Sequence, residues 1–90
     1  MSLQFEWDEH NRKHIDRDGV TPTEVEEVVL NDPLDITLQT EDDEERIVQL
    51  GATRKGRILL VITTWRDDKL RPVTAFEAPK ALCDLYFRNR

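Results

Sequence analysis

The feature that most narrows the fold of this chain is the apolar run Ile58-Leu59-Leu60-Val61-Ile62, prolonged to Trp65 and closed on both sides by turn chemistry. Thr53-Arg54-Lys55-Gly56 precedes it and Arg66-Asp67-Asp68-Lys69 follows it. A short run of this kind between turn signals reads as a strand, and its length and hydrophobicity place it at the centre of a sheet. Further strands are expected on either side. Asp35-Ile36-Thr37-Leu38-Gln39 alternates with period two, Arg46 to Leu50 gives another strand, and Leu70 to Phe76 a last one. Pro72 has no amide hydrogen for a ladder, so it marks a strand end or a sheet edge. The acidic run Glu41 to Glu45 is a turn. It contains no glycine and lacks calcium-loop spacing.

Helices are expected before and after this meander. Phe5-Glu6-Trp7 alternates as a short strand would, and Asp8 is a suitable N-cap for a helix from Glu9 to about Arg17, ended by Gly19. Thr21-Pro22-Thr23-Glu24 is a second start signal: Thr21 as cap, Pro22 in the first helical position, Glu24 reaching back as the capping-box acceptor. That helix ends near Asn31, with Val25, Val28 and Val29 as the buried stripe and Glu24, Glu26 and Glu27 facing water or a partner. Pro33 blocks continuation. Pro79 opens a last helix whose Leu82, Leu85 and Tyr86 share one face. The order β-α-α-β-β-β-β-α defines an α+β domain with helices on one face of an antiparallel sheet.

At 90 residues, 38% hydrophobic and 36% charged, the chain fits one domain with little burial to spare. Its stability is therefore expected to draw on a partner or on self-association as a homo-oligomer. The lone Cys83 cannot close an internal disulfide, which suits a reducing cytoplasm. Acidic residues come too early for a secretory signal and the apolar run is too short for a bilayer, so neither targeting nor membrane insertion is expected. The net charge of −6 conceals a split: residues 1–45 hold 3 Lys/Arg against 15 Asp/Glu, and residues 46–90 hold 10 against 4. A basic half can meet RNA while the acidic half meets a basic protein; the alternative is scattered, solvated charge.

An ordered set of landmarks resembles the BrnT family of toxins. These are Phe5-Glu6-Trp7-Asp8, His14 through Pro22, Asp32-Pro33, Arg46 through Gly51, Gly56 through Val61, and Arg71-Pro72-Val73-Thr74-Ala75 ahead of Tyr86. The resemblance implies a compact RelE-like fold, a metal-independent endoribonuclease that arrests translation with no cofactor, an RNA substrate, and neutralisation by a cognate antitoxin that binds DNA. It also implies that the family's Lys-His-Gly after the first helix falls on Arg17-Asp18-Gly19. A cation is kept there and an imidazole becomes a carboxylate. Arg46 and Arg57 stand where the family carries strand arginines suited to phosphate, whereas Phe76, Leu82 and Cys83 replace charged residues.

The reaction needs a base for the ribose 2′-hydroxyl, cations for the phosphorane and an acid for the leaving 5′-oxygen. The candidates are His14, Arg17, Asp18, Arg46 and Arg57 as catalytic groups, with Arg46, Arg57 and Arg71 as an RNA-binding patch. His10, His14 and Asp18 are spaced by four and share a face if one helix holds all three. Two His and one Asp lack a fourth protein ligand, so no metal site is expected; the other reading has His14 packed beside Ile15 and His10 solvated. The arginines alternatively pair with Glu44, Glu45 or Glu77. Trp65 is read as core or as a base-stacking surface, Trp7 as core and Cys83 as packing. The competing function is a catalytically degenerate protein- or RNA-binding module.

Overall fold

The computed structural model describes residues 3–89. Helix α1 (Glu9–Asp16) and helix α2 (Pro22–Leu30) come first, then strands β1 (Leu34–Glu41), β2 (Glu44–Ala52), β3 (Ile58–Arg66) and β4 (Lys69–Glu77), and finally helix α3 (Lys80–Arg88). Both early helices start as their sequence dictates. Asp8 accepts from the Asn11 amide while the Asn11 side chain caps the Asp8 amide, and Thr21 and Glu24 exchange the same pair of bonds. Each box satisfies amides that a first helical turn otherwise leaves orphaned.

The strands form one antiparallel sheet in the order β1-β2-β3-β4, so the apolar β3 is an interior strand as its composition predicts. Two hairpins close with two-residue loops, Asp42-Asp43 and Asp67-Asp68, and all four aspartates have positive φ between 51° and 65°. This is the turn geometry whose twist matches paired strands. The β2–β3 connection instead uses Gly56 at φ +87° and a Thr53 hydroxyl that accepts from the Arg57 amide at 3.0 Å.

Alternation along β3 divides the core into two layers. Leu59 and Val61 face Ile15, Val20, Val25 and Val28, whereas Ile58 and Leu60 face Val48, Leu50, Ala78 and Tyr86. The expectation that the helices share one face is therefore corrected: α1 and α2 cover one side of the sheet and α3 the other. The cause lies in β3, which is apolar at odd and even positions and so needs cover on both sides. Close approach of α2 is permitted by Gly51, where an added Cβ would stand 2.8 Å from Val28 Cγ1.

The N-terminal strand is also corrected. Phe5 makes an isolated parallel bridge to Leu70, fixed by Leu70 N–H to Gln4 O (2.8 Å) and Glu6 N–H to Leu70 O (2.9 Å). Trp7 leaves that line to pack beside the α1/α2 layer and donates to Glu26 at 2.8 Å. Pro72 lies where the β3–β4 register shifts, on an edge strand as anticipated. Among the described residues, no helix is long and apolar enough to cross a membrane.

Candidate functional site

The candidate residues separate into two groups. His14 lies on α1, which contacts β4, and its face of the helix borders an open concavity of 430 Å³ lined also by His10, Glu44, Arg46, Arg66 and Arg71. Placement follows from local periodicity. His10 and His14 are one helical turn apart, Glu44 and Arg46 are alternate residues of β2, and Arg71 pairs with Thr64, two residues before Arg66. Two imidazoles and three guanidinium groups thus converge from one helix and three strands.

The guanidinium groups are held by carboxylates. Arg46 reaches Glu41 at 3.0 Å and Glu44 at 3.4 Å, and Arg66 reaches the other Glu44 oxygen at 3.1 Å, so Glu44 bridges two cations. Arg71 is 9% exposed and contacts Glu6 and Asp8, each at 2.9 Å. Its hydrogen bond to Asp8, helped by the Asn11 amide, lowers the Asp8 pKa to about 2; the same hydrogen bond outweighs burial and raises that of Arg71. At the edge of β4, buried Asn11 donates to the carbonyls of Glu6 and Pro72, both at 3.0 Å, and locks α1 against the strand.

Arg57 belongs to the second group. It contacts the Gly19 carbonyl at 2.9 Å, Glu24 at 3.1 Å and Glu77 at 3.7 Å. Burial is the largest influence on Glu24 and raises its pKa, yet the Thr21 amide and Arg57 together bring it below the ordinary carboxylate value. Arg17 and Asp18 are exposed residues beyond the end of α1, and neither lines the concavity. Asp18 leaves the His10–His14 face because the helix stops at Asp16 and Gly19 turns the chain at φ +71°. The three arginines consequently do not make one patch: Arg46 and Arg71 line the same concavity, and Arg57 clamps the start of α2.

Two further features decide between readings left open by the sequence. Trp65, near the exposed end of β3, is 55% exposed, which is the surface alternative and not the core one. Glu24, Glu26 and Glu27 are half-buried acceptors for Arg57, Trp7 and the Arg54 amide respectively, so the acidic face of α2 is largely engaged within the chain. Cys83 packs as expected, with its Sγ 3.3 Å from the Ala78 carbonyl. Arg66 was hidden in what reads as a turn; its signal was the two-residue spacing from Thr64 once β3 is extended.

A protein-family model described as the ribonuclease toxin BrnT of type II toxin–antitoxin systems matches residues 7–81. No curated protein matches the chain.

Proposed function

The chain belongs to the BrnT family of ribonuclease toxins of type II toxin–antitoxin systems, and from that premise we propose that it cuts RNA in the concavity between α1 and the sheet. The observation that carries this reading is the convergence of His10 and His14 with Arg46, Arg66 and Arg71. In the proposed reaction one imidazole takes the proton of the ribose 2′-hydroxyl, whose oxygen attacks phosphorus. The other donates a proton to the departing 5′-oxygen, leaving a 2′,3′-cyclic phosphate and a 5′-hydroxyl. Imidazole suits both tasks because its charge changes near neutral pH. Arg46 and Arg66 supply the positive charge that the phosphorane requires, without a metal ion. RNA phosphate must compete with Glu44 for them, so binding and activation are the same event.

Arg71 supports the site by tying the chain before α1 to β4. Arg57 has a structural task, and Arg17 and Asp18 stay outside the reacting centre. Cleavage of cytoplasmic RNA arrests translation, and a cognate antitoxin restrains it.

The test is incubation of the purified protein with single-stranded RNA in EDTA, with end-group analysis of the products. His14→Ala should slow cleavage by about 100-fold or more, while Arg57→Ala should cut at the wild-type rate and melt at a lower temperature. Loss of activity in EDTA would overturn the metal-independent mechanism. The second reading, an RNA- or protein-binding module, is favoured by the neutralisation of all three cavity arginines; RNA binding without cleavage, and no growth arrest on induction, would establish it.

A further inference from the structure

The two edges of the sheet are finished differently. On β4, Pro72 removes a donor, the register is interrupted, the chain before α1 bonds to Leu70, and Asn11 caps the Pro72 carbonyl. These are the devices by which proteins close an edge to other strands. On β1 a residue is bulged between Asp35 and Thr37, but the strand runs eight residues, contains no Pro or Lys, and among the described residues pairs on one side alone. An edge of that length is a ready template for an added strand.

Two observations say what covers it. Among the described residues the exposed large apolar side chains are Leu30, Ile36, Leu38, Phe87 and Trp65. Ile36 and Leu38 are on β1 itself, Leu30 ends the helix that leads into it, and Phe87 shares a concavity with Leu34 at its start. Charge supplies the second: no Lys, Arg or His occurs from Asp18 through Glu45. Around the strand, Asp32, Asp42, Asp43 and Glu45 make no ion pair among the described residues. Two copies pairing antiparallel about Leu38 would set Asp35 opposite Glu41 twice, and like charges directly opposed destabilise a ladder. A basic strand meets the opposite situation.

We propose that the open edge of β1 is the docking strand for the neutralising partner, which adds a basic, extended segment with apolar side chains as a fifth strand of the sheet. The identity of the partner as an antitoxin rests on the functional reading above; the surface and its chemistry rest on the edge, its exposed apolar residues and its charge. The added strand lies beyond β1, with β1 and β2 between it and β3, and it runs alongside Glu41 at the end of β1, the carboxylate paired with Arg46.

The test is to purify this protein with the protein encoded by the adjacent open reading frame and to follow amide hydrogen exchange of residues 34–41, alone and in the complex. Binding is measured for the wild type, Leu38→Lys and the strand-competent Leu38→Thr at low and high salt. Expected are slowed exchange across β1 on binding, an affinity loss of about tenfold or more for Leu38→Lys with a smaller loss for Leu38→Thr, and weaker binding at high salt. Both variants should melt and cleave RNA as the wild type does. Protection confined to α2 or to the concavity, or unchanged affinity of Leu38→Lys, would overturn the docking site while leaving the ribonuclease reading intact. Protection of β1 in the free protein with the mass of a dimer would put a second copy in the partner's place. Failure to form any complex would overturn the docking proposal and the partner together, with RNA cleavage by the isolated chain scored separately.

Discussion

Arg71 and Asp8 show how much of this molecule depends on single contacts between distant parts of the chain. Asp8 caps α1 and also pairs with Arg71, and Asp8→Asn separates these tasks because asparagine caps equally well. The Asp8 carboxyl is held down at about 2 from 3.8, so its ion pair adds stability above about pH 4 that disappears as pH falls toward 2. Thermal melts across that range should show wild type above Asp8→Asn at pH 7 and the two converging at pH 2; a constant gap would assign the effect to the cap instead. Thr63 offers the opposite case. Its hydroxyl is buried without a hydrogen-bond partner among the described residues, so Thr63→Val should raise stability by about 1 kcal/mol in denaturant unfolding. The caps Asp8 and Thr21 were legible in the sequence because a capping box is written within four residues. The partners of Arg71 were not, since Glu6 and Asp8 lie more than sixty positions away and only the fold brings them near.

Elements are positioned here as much by what side chains lack as by what they fill. Helix α2 rests on β2 because Gly51 leaves room for Val28 and Pro33. Gly51→Ala should cost about 1–3 kcal/mol, read by denaturant midpoint, and Val28→Ala in the same chain should recover part of that loss. An additive double mutant would show that α2 and β2 do not touch through this pair. Strand periods predicted the meander and its central strand. They also held the sign of two-sided cover, since Ile58, Leu60 and Ile62 alternate with Leu59 and Val61. Assigning helices to sides needed more, because an amphipathic stripe names a helix face and not the side of a sheet it meets. The candidate site was legible in part: His14, Arg46 and Arg71 converge, while Arg57 was drawn away by Glu24, a partner contributed by another element.

At the scale of the whole fold the dominant property is an uneven charge distribution, acidic in residues 1–45 and basic in residues 46–90. A folded unit of this size gains stability readily from anything that binds its folded form. Antitoxin present at about a hundredfold over its dissociation constant should add about 2.7 kcal/mol. For a chain of this length that corresponds to a rise in melting temperature of about 10–20 °C. Calorimetry at two antitoxin concentrations checks this, and a melting temperature independent of concentration would sink it. The placement of the two tryptophans also gives the molecule two optical reporters. Trp65 stands largely in water, whereas Trp7 is half-buried and bonded to Glu26. Acrylamide should quench a red-shifted emission that Trp65→Phe removes, and the blue-shifted light that remains should follow unfolding alone. One spectrum therefore tells whether a ligand has covered the end of β3 or has tightened the whole domain.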